Sequence, residues 1–167
     1  MTRFLTATAV TLLMAAPALA QKVGFVDVQK AVQATSQGKK AKATLDGEFK
    51  KRKDTLDKKK ADIEKMGQDL EKKKSVLSEE VLGKKQMELQ EEMMKFQKQV
   101  GENQMEIQKK EEELVGPILE KMKGVIESVA KEKGYAMVLE KKAQNVLFSV
   151  ADADLTDDVV KAFEKAK

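Results

Sequence analysis

The chain has no cysteine, no histidine and no tryptophan, and only two prolines; aromatic residues make up 4% of it. Each absence excludes something. Without histidine and cysteine there is no Ser-His-Asp or Cys-His nucleophile and no zinc site of the usual nitrogen and sulfur type. Without cysteine there is no disulfide framework, so stability has to come from helix pairing, a small core or association of subunits. No run matches the glycine-rich phosphate loop, and no apolar run reaches the ~20 residues of a membrane span.

The chain does have charge in quantity, 36% of residues, and an N-terminal stretch that reads as a leader. Arg3 supplies a positive start, Phe4 to Met14 form a short apolar run, and Ala18-Leu19-Ala20 offers a small-x-small cleavage site before Gln21. Residues 1–20 are expected to be a cleaved signal peptide, with export to a bacterial periplasm. Removing Arg3 leaves 31 Lys+Arg against 28 Asp+Glu, a net +3.

The middle of the chain, residues 39–114, is charged and apolar along one thin line. Leu45 and Phe49 are followed by Leu56, Ile63, Leu70 and Leu77, spaced by seven after Phe49; Leu89, Met93, Phe96, Val100, Ile107 and Leu114 continue at threes, fours and sevens. This period predicts two long helices lying antiparallel. The second seam position of each heptad holds Arg52, Lys59, Met66 and Lys73, of which only Met66 is apolar, so the pairing should be loose. Residues 39–77 carry 14 basic and 8 acidic side chains, whereas residues 78–113 carry 6 and 10, and opposite signs favour pairing of the limbs. Within the helices, Asp54–Lys58, Asp69–Lys73, Glu91–Lys95 and Glu106–Lys110 have the spacing of favourable ion pairs. The turn is expected between Ser75 and Glu80, with Ser78 capping the returning helix.

The two ends build a small body from residues 21–38 and 115–167. Lys22 to Val28 reads as a strand with apolar residues on both faces, and Gln29 to Thr35 as a short helix, with Gly38 breaking or kinking the chain before the long limb. Gly116-Pro117 reads as a bend and hinge before a helix from Ile118 to Lys133, whose apolar face is Ile118, Met122, Val125, Ile126 and Val129 and whose C-terminal glycine is Gly134. Ala136–Glu140 and Val146–Val150 read as a hairpin, and Thr156 as the N-cap of a last helix with Val159, Val160 and Phe163 turned inward. The fold class is mainly α with a small β body, the helical hairpin being inserted between its strands. Short strands apolar on both faces suit an oligomer better than a monomer.

Carboxylates on a charged helix do not make an acid–base site without a sheltered pocket, so an enzyme is not expected, nor a cofactor or a metal. The basic runs at residues 50–53, 58–60 and 72–74 are read either as a solvated face paired with the acidic limb or as an attractor of anionic membrane or lipopolysaccharide surfaces or of acidic polypeptides. An exported protein rarely meets nucleic acid. Met66 and Met93 suit gap-filling; Met94 lies beside the stripe, and Met87 and Met105, off it, are open to either gap-filling or contact with a bound chain.

The opening K-V-G-F-V-D-V, the charged hairpin with L-S-E-E at its tip, G-Y-A-M-V-L-E-K and the closing D-L-T-D-D-V-V-K-A-F resemble the Skp/OmpH family of periplasmic chaperones over essentially the whole chain after the leader. The resemblance implies a homotrimer with a shared β body and helical tentacles around a cavity, holding unfolded outer-membrane proteins without ATP. It implies that Val23, Phe25, Val26, Val28, Met137, Leu139, Leu147 and Phe148 associate the subunits. It also implies that Phe49, Met66, Met87, Met94 and Met105 contribute to the client surface. It supplies no lipopolysaccharide-site residue. A structural or adaptor hairpin of the cell envelope is the alternative.

Overall fold

The computed structural model describes residues 22–142, 146 and 148–166. The leader and Leu147 lie outside them. Strand β1 (Lys22–Val26) leads into helices α1 (Val28–Ala34) and α2 (Ser36–Lys73). A turn then connects to α3 (Glu79–Glu132), followed by β2 (Tyr135–Glu140), a 3₁₀ turn at Ala151–Ala153 and α4 (Thr156–Lys165). The molecule is mainly helical, with a two-stranded sheet.

The core lies where the two ends of the chain meet. Ile118, Met122, Val125 and Val129 on α3 pack with Val26, Ala31, Leu155, Val159 and Phe163, and Ile126 joins them half-buried. This is the α3 face expected from the 3.6-residue period. Gly134 closes the helix region at φ +70, a left-handed conformation that glycine adopts without penalty. Ser78 caps α3 as expected, accepting from the Val81 N–H at 3.4 Å, with Glu79 and Glu80 in the first turn.

Strand β1 stops at Val26, because Asp27 turns the chain. Its side chain accepts the Lys30 N–H at 2.8 Å and caps α1, so Val28 opens a helix rather than ending a strand. Gly38 does not break the chain either. Thr35 caps α2, accepting from the Gly38 N–H at 3.0 Å, and Gly38 sits inside the first turn against the end of α1. At Gly116-Pro117 the expected bend is replaced by unbroken helix, α3 running 54 residues with Pro117 inside it. Proline removes one donor to the carbonyl four residues back, here Glu113. Pro117 and Glu113 are both exposed, so that carbonyl is open to water, while the buried Ile118 and Met122 hold the next turns in place.

The anticipated hairpin between residues 136–140 and 146–150 is not formed among the described residues, residues 143–145 and Leu147 lying outside them. β2 instead pairs parallel with β1, in the register Val23↔Met137, Gly24↔Val138 and Phe25↔Leu139, and the whole helical arm connects them. Among the described residues of the segment, Val146 and residues 148–150 carry no strand. What reaches β1 from that side is Asp154, in a single parallel bridge to Phe25. Leu155 N–H donates to the Phe25 carbonyl at 2.8 Å, and Lys141 N–H to that of Val26 at 2.8 Å.

Thr156 is the first residue of α4 rather than its cap. The Asp154 carboxylate accepts from the Thr156 N–H at 3.1 Å and its hydroxyl at 2.6 Å, while the Thr156 hydroxyl accepts the Asp27 N–H at 3.0 Å. Lys141 Nζ donates to the other Asp154 oxygen at 2.7 Å. Burial would push the Asp154 carboxyl up, but the bonds from Lys141 and Thr156 outweigh it and hold the group at about 2. At the other end of α4, Glu164 accepts the Ser36 N–H at the start of α2 at 2.5 Å, and this bond lowers its pKa.

Candidate functional site

Two exposed apolar regions stand out, one on the sheet and one on the arm. On the sheet, parallel register places Val23 beside Met137 and Phe25 beside Leu139. Paired residues of a parallel ladder share a face. The opposite face, with Gly24 and Val26, is buried against the core, and a β-carbon on Gly24 would lie 3.0 Å from both Leu155 and Tyr135. Within the single chain the strand therefore has one covered face. Val23, Met137 and Leu139 are 39%, 54% and 45% exposed, and Phe25 is half-buried. Phe148 is also exposed. Of the residues expected to associate subunits, Val26 is instead a core residue of its own protomer, and Val28 packs half-buried against that core.

On the arm, α2 and α3 lie antiparallel, and no side chain from Lys42 to Pro117 is buried. Leu56, Ile63, Met66 and Leu70 on α2 are half-buried, as are Leu89, Phe96, Ile107 and Leu114 on α3. Polar layers interrupt them. Arg52 ion-pairs across the seam with Glu106 and donates to Asn103 Oδ1 at 3.3 Å, while its Nε is buried without a partner. Lys59 lies 3.9 Å from Glu92 on the facing helix. Among the described residues these two are the ion pairs that join the limbs, so opposite net charge stitches them at two points only.

Most of the arm's ion pairs run along a single helix, and of the four expected there one forms. Glu91–Lys95 forms at 2.8 Å, but Glu106 is taken by Arg52 and Lys110 by Glu113. Asp54–Lys58 and Asp69–Lys73 make no bridge. Lys72, Lys73 and Lys74 near the tip are exposed and make no ion pair among the described residues.

The expected client residues do not form one patch. Phe49 keeps its heptad spacing but is 61% exposed, while Arg52 occupies the seam one turn on. It borders a shallow groove with Leu56, Val100 and Ile107, which is followed toward the tip by one lined by Ile63, Met93 and Phe96. Met66 lines a recess nearer the tip with Leu70 and Leu77. Met87, Met94 and Met105 lie elsewhere on α3 and are all well exposed. Met93 and Val100, read as seam residues, are in fact 48% and 42% exposed on the groove edge.

No group of acidic residues among those described could hold a metal ion, and no described helix is long and apolar enough to cross a membrane. No curated protein sequence matches the chain. The fold is similar to the solved structure of a protein described as an OmpH-like outer membrane chaperone from Caulobacter crescentus CB15, with a TM-score of 0.72 at 18% identity, covering 98% of this chain and 91% of that one. The family model for OmpH-like outer membrane proteins matches residues 22–163. With β1, the arm and most of α4 inside that match, the protein belongs to the OmpH-like family.

Proposed function

We propose that this chain is an ATP-independent periplasmic holdase, which binds unfolded outer-membrane proteins between helical arms and keeps them from aggregating. The observation that carries the reading is the arm itself: long paired helices with no buried side chain from Lys42 to Pro117. Such an arm offers many weak apolar contacts on a surface and no pocket for one ligand, which suits a binder of varied sequences. Membership of the OmpH-like family supports it.

In this reading the sheet face of Val23, Phe25, Met137 and Leu139, with Phe148, is covered by other copies in a homotrimer, and the arms surround a cavity. Residues 1–20 are removed as a signal peptide. The unpaired Lys72–Lys74 attract acidic segments of clients, or anionic lipid surfaces, with salt weakening both.

The test is aggregation of a denatured outer-membrane β-barrel protein followed by light scattering, with the mature chain at equimolar trimer. Suppression is expected. Scattering that rises as fast as in buffer alone would refute the holdase. Phe96→Asp places a charge in the seam and should part the arm and reduce capture; equal capture by that variant would remove the arm from the mechanism. The alternative, an envelope adaptor hairpin with one fixed partner, draws on Val76, which is 79% exposed at the turn. In that case Val76→Ser, and not Phe96→Asp, would abolish binding.

A further inference from the structure

Three of the arm's methionines share a geometry that the seam does not explain. Met87, Met94 and Met105 are separated by 7 and 11 residues, which on an α-helix places them within about 20° of one line. They are 72%, 58% and 64% exposed, while Phe96, two residues from Met94, is half-buried in the seam. The stripe therefore runs along the outer side of α3, away from α2. Met122 in the core is fully buried and Met66 is half-buried. Nothing in the helix pairing needs a thioether on the outer line, and the chain has no cysteine that would be oxidised first.

We infer that Met87, Met94 and Met105 form an oxidation-sensitive client-contact stripe, modified by hydroperoxides or hypohalous acids. The step is an oxygen-atom transfer. The sulfur lone pair attacks the terminal peroxide oxygen, an S–O bond forms as the O–O bond breaks, and the peroxide leaves as water or alcohol. Sulfur is oxidised by two electrons and the peroxide reduced by two. With hypochlorous acid, chloride and a proton leave instead. Each sulfoxide turns a flexible apolar side chain into a polar one. Because none of the three packs in the seam or core, the arm keeps its helices and loses only its outer apolar contacts. This rests on the holdase reading, and it adds that capture depends on the oxidation state of one helix face.

The experiment treats the mature protein with graded hydrogen peroxide and locates sulfoxides by peptide mass mapping. Helicity is followed by circular dichroism and capture by the light-scattering assay. Met87, Met94 and Met105 should oxidise at least about tenfold faster than Met122, with helicity unchanged and capture reduced about threefold or more. The triple variant Met87→Leu, Met94→Leu, Met105→Leu should capture client before and after peroxide alike. Comparable oxidation of Met122 would overturn the assigned accessibility. Undiminished capture by fully sulfoxidised protein would overturn the switch while leaving the holdase intact. Equal loss in the triple leucine variant would move the effect to Met93 or Met137 and overturn the assignment to the stripe. Failure of the unoxidised protein to capture client would instead sink the holdase reading, and the stripe with it.

Discussion

The carbonyl oxygen of Val32 lies 1.8 Å from the position a β-carbon on residue 38 would take, so α1 can end against α2 only because Gly38 is there. The same glycine N–H is the one that Thr35 caps. Gly38→Ala must therefore push the two helices apart at the root of the arm. A loss of about 3 kcal/mol is expected from overpacking of this kind, read as a lower urea midpoint by circular dichroism. Gly47→Ala is the control: nothing lies within 4 Å of its added β-carbon, and in a helix interior the change should stabilise by roughly 0.5–1 kcal/mol.

Phe163 is 1% exposed, and Lys121 Nζ stands 4.3 Å from its ring centre while also donating to the Ala166 carbonyl at 2.6 Å. Phe163→Ala should cost about 3–5 kcal/mol by emptying the centre of the core. Denaturant unfolding of the whole mature chain checks it; a loss below about 1 kcal/mol would mean that α4 is not seated as described.

Arg52 tests the polar layer of the seam. Its side chain is held by Glu106, Asn103 and Glu48, yet its Nε has no acceptor. Arg52→Leu should leave stability unchanged or raise it, since a partly buried ion pair is often matched by an apolar residue of similar size. Amide hydrogen exchange in the middle of the arm should slow accordingly. Glu106→Ala, in contrast, removes a partner that is 60% exposed and should cost less than about 1 kcal/mol.

Asp154 sets an acid limit. Its carboxyl is lowered from 3.8 to about 2 in the folded chain, so the unfolded chain binds the proton more readily. The stabilisation is whole above 3.8 and is lost as pH falls from there toward 2. Melting temperature measured across that range should drop more steeply for the wild type than for Asp154→Asn. Identical slopes would show that the Lys141–Asp154–Thr156 cluster does not couple to folding.

Features fixed by neighbours in sequence were legible without the structure. Ser78 caps α3, Gly134 ends its region with positive φ, and Ile118 to Val129 face the core, because caps and helical period act over a few residues. Features that depend on distant partners were not. Residues 146–150 look like a strand, but β1 already has β2 on one edge and Asp154 on the other. Pro117 signals a break, but the packing of Ile118 and Met122 sets the outcome. Phe49 keeps perfect heptad spacing and is exposed all the same, because Arg52 wins the seam through Glu106 and Asn103. For the candidate surfaces, helical spacing already set Met87 and Met105 off the stripe, but the exposure of Met93 and Val100 on the groove edge was not legible, because it depends on how the facing helix lies.

Helix α3 continues from the turn to the core without interruption, a rod of about 81 Å at 1.5 Å per residue. A push on its far end is thus a torque on Met122 and Val129, which the same helix buries in the core. Under the proposed holdase reading, a client held near the tip and other copies covering the sheet would be coupled mechanically through this single piece of backbone.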